Sequence, residues 1–290
     1  MAKFVPDIKT QRWIIVTSQR QARPLDFSSA VSQGSAPPPK VCPFCEGNEH
    51  MTPPEIFRRG SGDADEKEWK IRVVPNKFPI TDIHEVIIHS PFHDKDIIEL
   101  DIDRVKLILK VYKQRYEANF DNGHVMIFCN HGESAGASLT HPHSQLVVIP
   151  KQINLDSLAR EPVNNVIEES AMFVSYCPDF SQWPYEVWIA PKKNDTDYCD
   201  ITDEEIIELG PMLQNSLKRL SGIYNKEENK KMFSQFPFAY NYYIHHSKNW
   251  FIRIIPRFVH RAGFELGTGL NVNVVDPTNA SVELKSIEIV

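Results

Sequence analysis

The stretch that organises this chain is His141-Pro142-His143-Ser144-Gln145, which ends a longer glycine-containing run that starts at Asn130. Side chains two residues apart on an extended strand lie on the same face, so the pattern predicts that His141, His143 and Gln145 project together. Two glycines and several small residues precede them, and glycine lets backbone N–H groups approach a ligand closely. The stretch therefore predicts a site that binds a phosphoryl group beside an imidazole.

The composition limits the classes of protein to consider. The 290 residues are 41% hydrophobic and 24% charged, as in globular proteins, so we expect one large domain or two of ordinary size. The net charge of -6 leaves no excess of Lys and Arg to neutralise a nucleic-acid backbone. No apolar run is as long as a membrane span, and charged residues interrupt the first fifteen positions. We expect a cytoplasmic protein that binds neither nucleic acid nor membranes.

The cysteines indicate a metal site. Five cysteines, without a recognisable signal segment, are typical of reduced thiols rather than of disulfides. Cys42 and Cys45 have the spacing of two ligands of one tetrahedral zinc ion. A redox dithiol is the alternative, but this pair lies between proline-rich segments rather than at the start of a helix. The candidates for the remaining ligands are His93 and His141, with His84, His89 and His131 as rivals that spacing does not exclude.

The chemistry of imidazole indicates a role for His143. A neutral imidazole can attack phosphorus and leave again, so His143 is the candidate nucleophile of a two-step nucleotidyl transfer. Its attacking nitrogen must be unprotonated, which requires the other ring nitrogen to donate a hydrogen bond. Gln145, Ser138 and the loop N–H groups would stabilise the charge on the phosphoryl oxygens. Because Gln145 is a poor general acid, the set favours a transferase over a hydrolase; a structural His-x-His pair is the alternative.

The order of elements repeats along the chain. A helix is predicted from 101 to 118 and another from Thr202 to about 220, each after one strand and before two more. The strand at 84–89 resembles residues 185–190, and Phe251 and Arg253 stand where a histidine pair would lie in the second copy. The sequence predicts a duplicated α+β unit whose chemistry lies in the first copy, followed by a tail that ends in a glycine-punctuated strand at 263–273.

Together these motifs resemble the galactose-1-phosphate uridylyltransferase family of the histidine triad superfamily. The motifs are Arg20-x-x-Arg23-Pro24, Cys42-x-x-Cys45, Asn76-x-Phe78, Ser90-Pro91-x-His93, the run from Gly132 to Gln145, and Gly263-Phe264-Glu265-Leu266. The resemblance implies an α+β fold of two histidine-triad-like repeats, residues 1–155 and 156–290, with an antiparallel sheet flanked by helices, in a homodimer. It also implies a ping-pong transfer of UMP from UDP-glucose to galactose 1-phosphate through a uridylyl-histidine.

The resemblance further implies a role for each matching residue. His143 is the nucleophile, and its phosphate-binding neighbours are Gln145, Ser138, Asn130, Gly132 and Gly136. The residues that line the nucleotide are Arg20, Arg23, Asn76 and Phe78. The ligands of one structural zinc ion per chain are Cys42, Cys45, His93 and His141.

Two other functions stay open at this point. The form Gly-x-Ser-Ala-Gly-Ala-Ser before His-x-His-Ser-Gln also resembles ADP-glucose phosphorylases of the same family, which pass AMP to inorganic phosphate. The acceptor would then be phosphate instead of a sugar 1-phosphate. A zinc-stabilised protein that binds nucleotides without turnover is the third reading.

Overall fold

The structure is a computed structural model that describes residues 2–7, 12–17, 20, 41–155, 158–233, 237–246 and 248–289. The predicted nucleotide-binding residue Arg23 lies outside the described residues. Within these ranges, no helix is long and apolar enough to cross a membrane.

The described ranges contain strands and helices in the alternating order that the sequence predicts. The strands are β1 (Lys3–Pro6), β2 (Trp13–Val16), β3 (Phe57–Gly60), β4 (Trp69–Pro75), β5 (His84–Ile88), β6 (His124–His131), β7 (His143–Ile149), β8 (Val166–Glu169), β9 (Phe173–Tyr176), β10 (Val187–Pro191), β11 (Tyr240–Ile244) and β12 (Ile252–Pro256). The helices are α1 (Ile102–Asn119), α2 (Asp203–Asn225), α3 (Glu227–Phe233), α4 (Gly263–Thr268) and α5 (Pro277–Lys285).

Ten of these strands form one antiparallel sheet, in the order β3-β4-β5-β7-β6-β11-β12-β10-β9-β8. Read from its outer edge inwards, the first half has the order β3-β4-β5-β7-β6 and the second half has β8-β9-β10-β12-β11. The two orders are the same, and the halves join where β6 pairs with β11. The predicted fold, two repeats that share an antiparallel sheet flanked by helices, is confirmed. The division of the chain between residues 155 and 156 stays a prediction.

The two long helices begin where the sequence predicts. The side chain of Asp101 accepts a hydrogen bond from the Arg104 N–H (2.8 Å), which caps α1. Thr202 and Glu205 cap α2 reciprocally, and α2 continues to Asn225, beyond the predicted end near 220. Both helices contribute to the main core, on one face of the sheet. A smaller cluster, around Val86, lies on the opposite face, beneath the cysteine turn.

The tail differs from the sequence prediction. Gly263–Thr268 is a short helix instead of a strand. The carboxylate of Glu265 accepts a hydrogen bond from the Ala262 N–H (3.0 Å), and Gly269 ends the helix with a φ of 74°. Residues 271–273 are not in a strand either. These local caps satisfy the backbone within the segment, whereas a strand would need a neighbouring strand to pair with.

The register of the repeat also differs. The sequence match sets Val86 against Val187, but Val86 lies opposite Gln145 in the sheet, whereas Trp188 lies opposite Arg253. A shift of one residue turns a strand's side chains to the other face. The residue on β10 that corresponds to Val86 by face is therefore Trp188, one position further along the chain.

Candidate active site and metal centre

The strand β7 starts at His143, so His141 lies just before it. His143 and Gln145 line the same cavity, on the face of the sheet opposite the long helices. The ring of His141 instead lies beside Cys42 and Cys45. His143 and Gln145 thus share the cavity, whereas His141, which precedes the strand, lies next to them among the cysteines and contacts the same Phe44 ring as His143.

His143 has the protonation that a nucleophile needs. Its Nδ1 lies 2.8 Å from the His141 carbonyl oxygen, which can only accept, so the proton is assigned to Nδ1 and the lone pair to Nε2. Burial lowers the pKa of His143 below its ordinary value, although the bond to the His141 carbonyl acts in the opposite direction. The ring is therefore neutral at pH 7. Within the described residues, Nε2 has no hydrogen-bond partner.

The cavity in front of His143 has a volume of about 520 Å³. Six of the predicted site residues line it: Arg20, Asn76, Phe78, Ser138, His143 and Gln145. Most of the remaining wall is apolar, with Phe44, Val74, Val86 and Leu139 among its side chains. Three predicted phosphate-binding residues, Asn130, Gly132 and Gly136, do not line this cavity. An apolar slot with a few convergent polar groups is the usual form of a site for a small ligand.

The glycine-containing loop is held by the second repeat. Asn241 of β11 donates hydrogen bonds from Nδ2 to the side-chain oxygen of Asn130 (2.8 Å) and to the Ala135 carbonyl (2.9 Å). Gly132 has a φ of 84°, and a Cβ added there would lie 2.7 Å from the Cβ of Ala239. Asn130 and Gly132 thus fix the loop's backbone. The role of Asn241 was missed, since no sequence motif connects it to a loop more than a hundred residues away.

The three rival metal ligands have other partners. His84 Nε2 lies 2.9 Å from Gln145 Oε1. His89 is fully buried and lies 2.8 Å from the hydroxyl of Ser144, on the other face of β7. His131 lies 3.4 Å from a carboxylate oxygen of Asp96.

The four residues predicted as zinc ligands come together. The ligand atoms of Cys42, Cys45, His93 and His141 all lie within 4.8 Å of one another. The His141 Nδ1 is 3.6 Å from the Cys42 sulfur and 3.7 Å from the Cys45 sulfur, and His93 Nδ1 is 3.4 Å from the Cys45 sulfur. With Zn–S near 2.3 Å and Zn–N near 2.0 Å, a tetrahedral ion places sulfur and nitrogen roughly 3.5 Å apart. The set fits one zinc ion.

The surroundings of the cluster support this fit. His141 Nε2 donates a hydrogen bond to the Ser90 carbonyl (2.8 Å), which leaves the Nδ1 lone pair facing the two sulfurs. Burial raises the pKa of the Cys42 thiol to about 12, so a thiolate there requires a cation beside it. The ring of Phe44, within the cysteine turn, contacts His141 and His143 edge-on, with centroids at 6.0 Å and 5.2 Å. The cluster is thereby coupled to the candidate nucleophile.

The matching part of the second repeat is filled by packed side chains. Phe251 stacks on Trp188 with ring centroids 4.0 Å apart. Arg253 donates hydrogen bonds from Nε and Nη2 to the two carboxylate oxygens of Glu186, at 2.6 Å and 2.9 Å. This part of the sheet has the same strand order as the part that carries the site, but stacked rings and an ion pair occupy the place of the histidine and the glutamine.

The duplicated fold and the site define the class of protein: a nucleotidyltransferase of the histidine triad superfamily. The family model described as galactose-1-phosphate uridyl transferase, N-terminal domain, matches residues 79–149. An ADP-glucose phosphorylase from Arabidopsis thaliana is 30% identical over 98% of this chain and 92% of its own. A galactose-1-phosphate uridylyltransferase from Thermotoga maritima is 23% identical over 97% of this chain and 96% of its own.

A solved structure supports the same assignment. The crystal structure of the Arabidopsis thaliana ADP-glucose phosphorylase with bound ADP-glucose matches all of this chain and all of its own, at 27% identity and a TM-score of 0.73. The chain therefore belongs to the galactose-1-phosphate uridylyltransferase family, as its motifs predict, and it is an enzyme of that family.

Proposed function

We propose that this protein is a nucleotide-sugar phosphorylase that transfers AMP from ADP-glucose to inorganic phosphate through an adenylyl-His143. The observation that carries the nucleotidyl transfer is the ring of His143, whose Nδ1 is bound to the His141 carbonyl and whose Nε2 is available at the wall of the cavity. The choice of ADP-glucose is supported by the relative that is 30% identical over almost the whole chain.

The reaction needs two displacements at the α-phosphorus. The lone pair of His143 Nε2 attacks it, the bond to the bridging oxygen breaks, and glucose 1-phosphate leaves with that electron pair. An oxygen of inorganic phosphate then attacks the same phosphorus, the N–P bond breaks, and ADP leaves while the neutral imidazole is restored. Both leaving groups depart without needing a proton, which suits a site whose nearest polar side chains, Gln145 and Ser138, are not acids at neutral pH.

The other proposed roles follow from position. The side chains of Gln145 and Ser138 would donate hydrogen bonds to the phosphoryl oxygens, where charge accumulates. The apolar wall with Phe78 and Val86 would hold the base, and Arg20 would meet the phosphates. Zinc on Cys42, Cys45, His93 and His141 would supply structural support, since all four ligand positions are filled by the protein and none is left for substrate.

The uridylyl reaction expected first from the sequence becomes the second candidate. It would pass UMP from UDP-glucose to galactose 1-phosphate on the same histidine. The family model and the Thermotoga maritima relative support it. The two reactions differ in the base that the cavity binds and in the acceptor, and not in the role of His143.

Labelling of the protein separates these functions. Protein incubated with ADP-glucose or UDP-glucose that carries ³²P at the α-phosphate should acquire acid-labile label from ADP-glucose, and inorganic phosphate should release it as ADP. His143→Asn should abolish the label, whereas His124→Asn, at the far end of β6, should retain it. Label from UDP-glucose that galactose 1-phosphate discharges would favour the second candidate. No label from either compound would leave a protein that binds nucleotides without turnover.

A further inference from the structure

We propose that His84 is a positioning residue for the transfer, because it holds the amide of Gln145 with its NH₂ group towards the phosphoryl oxygens. The proposal rests on the proposed function of His143 and adds a residue that no motif of the family resemblance contains. His84 begins β5, and its side chain lies beside β7 on the face of the sheet that carries the cavity. It does not itself line the cavity, so it acts through its neighbour.

The tautomer of His84 follows from two hydrogen bonds. The backbone N–H of Ile80 donates to His84 Nδ1 at 2.9 Å, so Nδ1 carries a lone pair. A neutral imidazole then has its proton on Nε2. Burial lowers the pKa of His84 to about 4, which keeps the ring neutral near pH 7. Nε2 has two polar neighbours, Gln145 Oε1 at 2.9 Å and Asn76 Nδ2 at 3.2 Å, and since the Asn76 Nδ2 is itself a donor, the Nε2–H group donates to Gln145 Oε1.

The orientation of Gln145 follows from that donor. The two ends of a glutamine amide have nearly the same shape, so only hydrogen bonds decide which end faces which way. Asn76 Nδ2 also donates to Gln145 Oε1, at 3.4 Å. The orientation of the Asn76 amide is itself fixed, because its Oδ1 accepts a hydrogen bond from the Phe78 N–H at 2.8 Å. A reversed Gln145 would set its NH₂ against two other donors. His84 and Asn76 together therefore hold the Oε1 of Gln145 away from the cavity and leave its NH₂ group facing the cavity.

This orientation matters for the chemistry. The phosphoryl oxygens gain negative charge during each displacement, and a donor already aimed at them needs no reorganisation. A glutamine with the carbonyl end outward would repel those oxygens. The second repeat has a similar pair on its own strands, since Glu186 of the chain just before β10 bonds Arg253 of β12. The equivalent positions of the two repeats are thus bonded to each other in both, as an ion pair in the second repeat and as His84–Gln145 in the first.

Two variants of similar size test the proposal. In His84→Gln the terminal amide nitrogen lies near the place of Nε2 and still donates to Gln145. In His84→Asn the side-chain oxygen replaces Nδ1 and still accepts from Ile80, but the donor to Gln145 is lost. We expect His84→Asn to slow the single-turnover adenylylation of His143 by about 10- to 100-fold, the range found when the hydrogen-bond partner of a metal ligand is removed, with little change in the concentration of nucleotide sugar that gives the half-maximal rate. We expect the adenylylation rate of His84→Gln to stay within about 3-fold of the rate of the unmodified protein, because the donor to Gln145 is kept.

A second comparison isolates the route through Gln145. In protein that already carries Gln145→Ala, adding His84→Asn should cause no further slowing, because the group that His84 orients is gone. Equal slowing in both backgrounds would overturn the proposal, as would full activity of His84→Asn. Rates are measured with whichever nucleotide sugar labels the unmodified protein. If neither compound labels it, the proposed function fails, and this result is distinct from failure of the His84 proposal.

A measurement on the unmodified protein covers variants that do not fold. In ¹⁵N-histidine NMR, the His84 ring should show a protonated Nε2 and an unprotonated Nδ1, with its resonances assigned by their loss in His84→Gln or by their contact with the Ile80 amide. A proton on Nδ1 of His84 would overturn the proposal, because the ring could then only accept from Gln145.

Discussion

At the scale of single residues, the site depends on groups that do not touch the cavity. Asn241 is the clearest case, since its one NH₂ group bonds both Asn130 and the Ala135 carbonyl across the boundary of the two repeats. A side chain that holds two segments of a loop reduces the number of conformations that the loop has to lose on binding. The geometry of the loop is therefore a property of both repeats.

Replacing Asn241 tests this. Asn241→Ala should lower the free energy of unfolding by about 1 kcal/mol, because two acceptors lose a partner. It should also lower the rate of adenylylation, because the loop before His143 is no longer held. Asn273→Ala is the matched control, since the NH₂ group of Asn273 also donates to two oxygens, the backbone carbonyls of Ser181 and Trp183, neither of which belongs to the loop. Stability comes from urea unfolding and rate from single turnover; an equal loss of rate in both variants would contradict the expectation.

Local chemistry explains why some site residues can be read from the sequence and others cannot. His143 and Gln145 are two apart on one strand, and Cys42 and Cys45 are three apart in one turn, so their spacing alone reports that they lie close together. The partnership of His84 with Gln145 depends on the pairing register of β5 and β7, which the sequence does not show. Spacing alone also left His84 as a rival metal ligand, whereas the family resemblance selected His93.

At the scale of elements, the metal cluster joins three separate segments. Cys42 and Cys45 lie in a turn before β3, His93 follows β5, and His141 precedes β7. The segment that enters β7 also supplies the carbonyl that fixes the proton of His143. A metal ion bound here would set where β7 begins and how the ring of His143 is held.

Removal of the metal tests that coupling. His93→Ala should leave well under one zinc per chain, measured by elemental analysis, and should slow the labelling of His143 without abolishing it. The reason is that metal binding stabilises the fold of the site, while the nucleophile itself remains. His50→Ala, an exposed histidine near the same turn, should keep the metal and the rate. Full zinc content in His93→Ala would contradict the proposed ligand set.

Elements differ in how well their sequences report them. The helices α1 and α2 begin with capping residues and continue with apolar residues at helical spacing, so their starts were predicted correctly. The helix at Gly263 was missed, because three glycines in eleven residues indicate a strand or a turn more than a helix. Its cap is formed by Glu265, a single side chain whose role is not evident from composition.

At the scale of the whole molecule, the pairing of β6 with β11 makes one sheet of two repeats. If the chain is cut between β7 and β8 by an inserted protease site, the two pieces should stay associated and retain labelling of His143, because the sheet and Asn241 still hold them. Gel filtration after cleavage gives the mass of the product. Separation of the pieces in native buffer, or complete loss of labelling with the pieces still associated, would contradict this. The same experiment on uncut protein reports whether the predicted homodimer forms.

The common strand order of the two halves has a consequence for the origin of this chain. A lone first repeat would expose β6 as an edge, and a second copy of itself, turned by a two-fold rotation, could complete the sheet there. Gene fusion makes such a pair permanent and frees its members from having to be identical. One member can then lose its nucleophile, at the position where Phe251 now stands, and still be needed, because its Asn241 holds the loop of its neighbour. The repeat without the nucleophile then serves the other repeat as a fused partner subunit would, by completing the sheet and holding the loop.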